Sequence, residues 1–261
     1  MIRLKMKIDF KIQITRISLI ALFLAIWEIL SAMKVIDPFF FSQPSKIVQD
    51  LLEIVISGLV FYHIWITLQE TLIGFLSGSV LGVLVAFLLG NSPFWAKVLD
   101  PIIMVVYGIP RIALAPLFIL WFGLGLVSKI VFSFSLVFFL VFFNTFAGLK
   151  GVNQDIVDSI WMMGASKGQI ILKVIFPSVS PWILAGFKSG MGMSLLGAIV
   201  GEYVGGNGGL GWLINYSANL FETVRVYSCL LVLSILVIFM NEGLNRLERR
   251  LLRWRPQNTK L

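Results

Sequence analysis

Long apolar runs separated by short polar segments dominate this chain. Several runs approach the roughly 20 residues that an α-helix needs to cross a bilayer. The pattern predicts an all-α membrane protein with six transmembrane helices. The predicted spans are Ile17–Met33, Ile64–Leu89, Pro101–Phe122, Ile130–Leu149, Pro181–Val200 and Val226–Asn241.

Smaller periodic features lie within and between these spans. Before the second span, the apolar positions of Lys46–Ile56 predict an amphipathic helix at the membrane interface. The second and fifth spans carry a small residue at every fourth position, which lets helix backbones approach closely. Such a strip is either a static packing seam or a seam along which helices slide, and the pattern is compatible with both. The strips are Gly74, Gly78, Gly82, Ala86 and Gly90, and Gly186, Gly190, Ser194 and Ala198.

Composition agrees with a chain that lies mostly in the membrane. Of its 261 residues, 58% are hydrophobic and 13% are charged, so little is left for a separate soluble domain. We therefore predict a single transmembrane domain over residues 1–261, with a core at about 60–245. The basic N-terminal stretch followed by Ile17–Met33 could be a secretory signal. A retained first span is the better interpretation, because more membrane segments follow it.

The positions of the basic residues predict the orientation of the spans. Placing both termini in the cytoplasm puts 15 of the 21 Lys and Arg residues on that side, as the positive-inside rule requires. The polar loop 150–178 is then cytoplasmic. The net charge of +8 flanks apolar segments and does not stripe one helix face, so we predict no nucleic-acid partner.

Few residues have the chemistry of a catalytic or metal site. The single Cys and the single His, Cys229 and His63, exclude an internal disulfide and a Cys/His metal cluster. We predict no catalytic residue, no metal and no cofactor in this chain. Gly206–Gly211 fits the spacing G-x-G-x-x-G, but it follows a membrane span and has Val226 where a dinucleotide site needs an acid. We interpret it as a compact glycine turn, and His63 as an interfacial residue.

The polar loop Asp155–Pro177 has its own pattern. Apolar residues at 156, 157, 160 and 163, and at 170, 171, 174 and 175, predict two short amphipathic helices. Gly164 falls between them, where a glycine can take the positive φ of a helix end. Pro177 is expected to stop the second helix before the fifth span. The alternative is an interfacial loop without a partner.

This loop resembles the signature of the permease subunits of binding-protein-dependent ATP-binding-cassette (ABC) importers. That signature reads E-A-A, three residues, G, nine residues, then I-x-L-P. The matching residues here are Asp158-Ser159-Ile160, Gly164, Val174, Phe176 and Pro177. The resemblance implies that Asp155–Pro177, the coupling segment, docks on a separate ATPase subunit. The ATPase-coupling residues it implies are Asp158, Ser159, Ile160, Gly164, Ala165, Ser166 and Pro177.

Other segments resemble one branch of that family, which imports sulfonates, taurine, nitrate and, in some members, thiamine pyrimidines or riboflavin. They are Pro110–Gly123, Gly201–Gly205 with Gly208–Ile214, and Phe41–Lys46. The resemblance implies a type I ABC importer permease fold in the bacterial cytoplasmic (inner) membrane. It also implies two copies around a central pathway, an external solute-binding protein, and two ATPase subunits that bind ATP and Mg²⁺.

Three ionisable residues near the membrane interior are candidates for the translocation pathway: Arg111, Lys188 and Glu202. Arg111 either faces the cavity and an anionic solute, or lies near the inner surface and binds a Gln side chain, a lipid phosphate or a helix end. Structural roles are favoured for the other two. Lys188 would extend its amine towards the interface, and Glu202 would fix the glycine turn beside it.

Two other classes of membrane protein fit the sequence less well. A self-sufficient secondary transporter or channel should show inverted repeats and broken helices with acidic coupling residues in mid-span, and the spans are interpreted as lacking buried Asp or Glu. An integral membrane enzyme should cluster catalytic groups at one membrane face, and no such cluster is apparent. The importer permease is therefore the predicted function.

Overall fold

The computed structural model describes residues 2–254, with side chains at 11–92, 94–99 and 101–254. Every regular element in residues 2–254 is helical. The α-helices are α1 (Ile2–Ala32), α2 (Pro38–Phe41), α3 (Pro44–Ile56), α4 (Leu59–Gly90), α5 (Pro93–Gly108), α6 (Ala115–Phe122), α7 (Leu126–Lys150), α8 (Gln154–Met162), α9 (Lys167–Ile170), α10 (Phe176–Gly205), α11 (Leu210–Asn219) and α12 (Thr223–Leu251). A 3₁₀ turn covers Arg111–Leu114, and a π-helical turn covers Ile171–Ile175.

Within residues 2–254, five helical segments are long and apolar enough to cross a membrane, and a bent pair of helices makes a sixth if it counts as one span. The predicted all-α membrane fold is confirmed, and each predicted span overlaps one of these segments. The five segments are Lys11–Ala32, Leu59–Gly90, Leu126–Lys150, Lys167–Gly205 and Thr223–Leu251, and the bent pair is Phe94–Gly108 with Arg111–Phe122.

The third predicted span, Pro101–Phe122, is wrong as a single helix. The helix begins at Pro93, contains Pro101, and breaks at Ile109, after which the chain turns by 74°. The ring of Pro110 disfavours helical backbone at the residue before it, and Ile109 is extended with ψ 129°. This proline therefore divides the span into two helices.

Backbone contacts divide the chain into two compact units, one built from α1–α3 with residues 213–232 and the other from residues 62–212 with the chain from 233 onward. The single domain stays a prediction. In the first unit, Glu28 of α1 accepts a hydrogen bond from the Ser45 N–H at 3.0 Å, which caps α3. Arg225 Nε of α12 binds Asp50 Oδ1 of α3 at 2.7 Å. The predicted helix Lys46–Ile56 is present as α3.

The second unit is centred on α7, against which α4 and α10 both pack. A Cβ on Gly78 of α4 would lie 2.9 Å from the Cβ of Val137, and one on Gly186 of α10 would lie 3.2 Å from the Cα of Val141. Both predicted strips of small residues therefore face α7, because only small side chains allow backbones this close. Whether either strip slides stays an open prediction.

Candidate functional site

The coupling segment begins with a capped, exposed helix. The side chain of Asn153 accepts a hydrogen bond from the Asp155 N–H at 2.8 Å, which satisfies one of the free donors at the start of α8. No residue of α8 is buried. Asp158 and Ser159 are exposed and Ile160 is half-buried. The helix is held by its own capping and exposes most of its surface.

Gly164 ends this helix as the sequence predicts. Its φ is +86°, and its N–H donates to the Trp161 carbonyl at 2.9 Å. The Ala165 N–H donates to the Ile160 carbonyl at 3.3 Å. These two bonds form a Schellman motif, which favours glycine at this position. The turn Gly164–Ser166 is mostly exposed, as the implied docking on an ATPase subunit requires.

The second helix of the segment starts with a capping box. The Gln169 N–H donates to Ser166 Oγ at 3.3 Å, and the Ser166 N–H donates to Gln169 Oε1 at 2.8 Å. The spacing S-x-x-Q is a known sequence signature of a helix start. The start of this helix could therefore be predicted from the spacing of Ser166 and Gln169 as well as from Gly164.

The expectation that Pro177 stops the second helix is wrong. The helical path runs without interruption from Lys167 to Gly205. Pro177 lies in the first turn of α10, where a missing N–H is tolerated, and it follows the wider π-helical turn at Ile171–Ile175. The coupling segment is therefore continuous with the predicted fifth span.

Apolar side chains next to the glycine turn are strongly exposed. Met162 and Met163 are 87% and 85% exposed, and Trp161 is 52% exposed. Flexible methionine side chains are common on surfaces that bind protein partners. This patch lies between the implied coupling residues of α8, Asp158–Ile160, and those of the turn, Gly164–Ser166.

Arg111 lies at the break in the third span, and its partners are in the protein. Its Nη2 donates to the Tyr107 carbonyl at 3.3 Å, and its guanidinium carbon lies 4.2 Å from the ring centroid of Phe139. The side chain therefore binds the end of α5, one of the structural roles considered for it, and is half-buried. Its place in the pathway stays a prediction.

Lys188 and Glu202, the other two pathway candidates, contact different partners. The Lys188 amine forms an ion pair with Glu248 of α12, and both side chains are partly exposed. Glu202 is fully buried at the end of α10. The structure thus gives each of the three candidates its own partners, and their roles in transport stay predictions.

Glu202 holds the glycine turn, together with Thr67 of α4. Glu202 Oε2 accepts a hydrogen bond from the Gly211 N–H at 2.6 Å, and Glu202 Oε1 accepts one from the Thr67 hydroxyl at 2.6 Å. Thr67 Oγ1 in turn accepts the Leu210 N–H at 2.9 Å. Gly209 has φ +97°, and a Cβ there would collide with the Glu202 carboxylate. The start of α11 is therefore capped by side chains from α4 and α10.

His63 completes this arrangement and is not the simple interfacial residue that the sequence suggested. It is only 3% exposed, its Nδ1 accepts the Gly209 N–H at 3.1 Å, and its ring stacks on Trp212 at 5.4 Å. Three successive backbone N–H groups of the G-x-G-x-x-G turn are thus bound by side chains of the same chain. This accounts for the glycine spacing without a nucleotide.

A buried ion pair lies beside this turn. Lys129 Nζ of α7 is 3.6 Å from Glu70 Oε1 of α4, and the two side chains are 2% and 0% exposed. Both oxygens of Glu70 lack a hydrogen-bond partner within the described part of the chain. We call Thr67, Glu70, Lys129 and Glu202, with the backbone of residues 209–211, the polar cluster.

The interpretation that the spans lack buried acidic residues is therefore wrong. Glu70 lies inside the predicted second span, and Glu202 lies in the helix of the fifth. A single Glu within the long apolar run Ile64–Leu89 was the available signal, since a charge there needs a partner. Lys129, its partner, stands just before the fourth predicted span, where the sequence alone does not show that it is buried.

Among the described residues, no group of three or more His, Cys, Asp or Glu side chains is placed to hold a metal ion. The absence of a cofactor in this chain stays a prediction.

Comparison with known proteins identifies similar chains. The model of the family described as binding-protein-dependent transport system inner membrane component matches residues 78–253. The permease protein SsuC of Bacillus subtilis, provisionally named for the transport of aliphatic sulfonates, is 33% identical over 90% of this chain and 85% of that protein. The formylaminopyrimidine transport permease protein ThiX of Halalkalibacterium halodurans is 34% identical over 90% of this chain and 93% of that protein.

The fold is also similar to that of solved structures. A chain of the MetNI methionine ABC transporter, solved in inward-facing conformations, aligns with a TM-score of 0.66 and 21% identity. The alignment covers 75% of this chain and 97% of that one. The predicted importer permease fold is confirmed by this likeness and by the family match.

Proposed function

Because this chain belongs to the family of binding-protein-dependent transport system inner membrane components, we propose that two copies of it form the translocation pathway of an ABC importer. The solute is a small anion of the sulfonate, taurine or nitrate type, delivered by an external binding protein. ATP and Mg²⁺ bind to separate ATPase subunits, which drive the transport. The permease itself has no catalytic role.

The coupling segment is the observation that carries this proposal. It is a helix–turn–helix with its own capping, it exposes Met162 and Met163, and it lies inside the region that the family model matches. It also continues directly into α10. A force applied to this segment by a docked ATPase would therefore reach a membrane span without an intervening loop.

The length of α10 supports the proposed orientation. From Phe176 to Glu202 the helix rises ~40 Å, at about 1.5 Å per residue, which exceeds the hydrocarbon core of roughly 30 Å. Its two ends therefore belong to opposite membrane surfaces. The excess of basic residues supports the coupling segment and both termini on the cytoplasmic side of the inner membrane. Part of that excess lies in residues 255–261 and in side chains before residue 11, outside the described side chains.

The mechanism we propose is alternating access. ATP binding closes the ATPase subunits and draws the two coupling segments together, and α10 of each copy moves with its segment. The polar cluster binds the far end of α10 to α4 and α7, so a shift of α10 is passed to the other packed helices. Hydrolysis then resets the pair.

Co-purification with an ATPase subunit tests the docking role. Gly164→Trp adds bulk at an exposed turn, where no atom lies within 4 Å of the added Cβ. We expect it to lose the ABC-type ATPase that co-purifies with the native chain from host membranes. Gly164→Ala has the same positive φ but little bulk, and it should keep most of the ATPase. Full retention by Gly164→Trp would contradict the proposed docking surface.

The anionic cargo rests on the family branch and on Arg111. The formylaminopyrimidine relative is as similar as the sulfonate one, so a vitamin precursor is the alternative cargo. Arg111→Ala should reduce uptake of a sulfonate, and Arg111→Lys should keep part of it. Unchanged uptake in Arg111→Ala would contradict the anion-binding role. Thermal stabilisation of the partner binding protein by sulfonates or by pyrimidines would separate the two cargoes.

Two observations favour a self-sufficient secondary transporter: the broken third span and the buried acidic residues. Their contacts argue for a structural role, because Glu70 pairs with Lys129, and Glu202 bonds Thr67 and Gly211. Uptake into membrane vesicles decides between the two functions. An importer requires ATP and its ATPase, whereas a secondary transporter works in vesicles depleted of ATP that keep an ion gradient.

A further inference from the structure

An apolar groove opens on the second unit, beside the start of α10. It has a volume of about 500 Å³, within the range of roughly 300–1,000 Å³ typical of small-molecule pockets. Its walls come from α4, α10 and the end of α12. Among the lining residues are Val80, Leu84, Phe176, Ile183, Leu251 and Trp254.

Next to the groove, four arginines form a stripe along the end of α12. Arg246, Arg249, Arg250 and Arg253 are spaced three and four apart, so they share one side of the helical segment, and they line a second depression. Glu242 is the acidic residue bound to this stripe, and it accepts hydrogen bonds from both Arg246 and Arg249, at 3.2 and 2.8 Å.

The stripe keeps an excess of positive charge. Within residues 2–254, no carboxylate forms an ion pair with Arg250 or Arg253. Glu248, the other acid nearby, is paired with Lys188 on a different side. Four arginines against one shared carboxylate leave a net charge of +3 on an exposed surface, which favours an anionic ligand.

The arginine stripe and the apolar groove are lined by neighbouring residues at the end of the described chain. Leu251 and Trp254 line the groove, and each follows an unpaired arginine, Arg250 and Arg253, in the sequence. Trp254 is 59% exposed, as aromatic residues at a membrane surface commonly are. One ligand that fits both surfaces has an apolar chain joined to an anionic head.

We propose that this groove and stripe form a binding site for an anionic phospholipid, with an acyl chain in the groove and the phosphate on Arg250 and Arg253. Arginine binds phosphate oxygens in a bidentate manner, and basic residues at the end of a membrane span attract anionic headgroups. A second copy of this chain is a poorer occupant, because a two-fold contact would bring two +3 stripes together. Free phosphate would leave the groove unused.

The test measures phosphatidylglycerol binding to the purified full-length chain by native mass spectrometry and by thermal stabilisation in detergent. We expect phosphatidylglycerol to bind and to raise Tm, and phosphatidylcholine or inorganic phosphate to do so far less. Arg250→Gln/Arg253→Gln should weaken phosphatidylglycerol binding by roughly 30-fold, about fivefold for each arginine. Lys167→Gln/Lys173→Gln removes the same charge from exposed positions outside the groove and should bind normally.

A second variant tests the groove separately from the charge. Leu84 is 51% exposed, so Leu84→Trp fills the groove without disturbing the core, and it should also weaken phosphatidylglycerol binding. Equal stabilisation by phosphatidylcholine, or by inorganic phosphate, would overturn the proposal. Normal phosphatidylglycerol binding by the double arginine variant would also overturn it. A wild-type dimer that dissociates in Leu84→Trp, with lipid binding unchanged, would show that a second copy of the chain occupies the groove. The single variants Arg250→Gln and Arg253→Gln replace the double variant if it fails to fold.

Discussion

The two ends of α10 are built in opposite ways. At its start, α8 of the coupling segment has no buried residue, and Met162 is 87% exposed. At its end, Glu202 is fully buried and accepts hydrogen bonds from Thr67 and Gly211. Local hydrogen bonds hold α8 and the turn after it, whereas long-range contacts between three helices hold the end of α10.

This difference indicates where the second unit can move. In the coupling segment, α8 and the turn at Gly164 depend on bonds within the segment and α8 has no buried residue, so this part can shift against a partner without breaking buried contacts. The polar cluster cannot shift in that way, because displacement of α10 there would leave buried charges and N–H groups without partners. We therefore expect α10 to move together with α4 and α7 at the cluster end.

The largest stability effect should come from the buried ion pair. Glu70→Gln leaves Lys129 as an unpaired charge that is 2% exposed, and we expect a loss of about 3–5 kcal/mol in the free energy of unfolding. Denaturant unfolding in detergent measures it. The double variant Glu70→Gln/Lys129→Met should recover part of the loss. If it is no more stable than Glu70→Gln, the two side chains do not act as a pair.

Gly209→Ala should cause the second-largest loss in the free energy of unfolding. Its φ of +97° is unfavourable for alanine, and its Cβ would collide with the Glu202 carboxylate. We expect a loss of about 2–4 kcal/mol, since strain at positive φ and overpacking add together. The same unfolding assay measures this loss. A loss below that of Gly164→Ala would mean that the glycine turn is not held tightly by Glu202.

Gly164→Ala is the matched change in the coupling segment. Its φ of +86° is similar, but no atom lies within 4 Å of the added Cβ. The expected loss is therefore only about 1 kcal/mol, from the backbone strain alone. Gly168→Ala, at an open helical position in the same segment, should be neutral or stabilising. A large loss of unfolding free energy for Gly164→Ala would mean that other parts of the chain pack against this turn.

The smallest stability effect is expected for a double substitution that should weaken binding of the ATPase. Met162→Ser/Met163→Ser changes two strongly exposed side chains, so the free energy of unfolding should stay within about 0.5 kcal/mol. Binding of the ATPase should nevertheless fall, because this apolar patch belongs to the proposed docking surface. Unchanged ATPase binding would exclude the two methionines from that surface.

Local features of the fold could be predicted from the sequence. The spans follow from long apolar runs, and the turn at Gly164 follows from the apolar periodicity around a glycine. The broken third span was harder, since Pro110 allows either a kink or a full break. The prediction that Pro177 stops the helix was wrong because the wider π-helical turn before it accommodates the proline within a continuous helix.

The polar cluster could not be predicted in the same way, because its partners are far apart in the chain. Glu70, Lys129 and Glu202 come from three helices, and each looks isolated in the sequence. Glu202 was expected to fix the glycine turn, and its bond to Gly211 agrees with that role. The parts played by His63 and Thr67 depend on tertiary packing, which no local pattern records.

Site-directed cross-linking tests the central claim most directly. Cys229, the only cysteine, is buried, so a maleimide–benzophenone reagent can be placed at Ser159→Cys in the coupling segment or at Asn207→Cys in the glycine turn. Both positions are exposed. In native membranes we predict that position 159 captures an ABC-type ATPase subunit and position 207 does not. Capture of the ATPase from position 207, with none from position 159, would contradict the account.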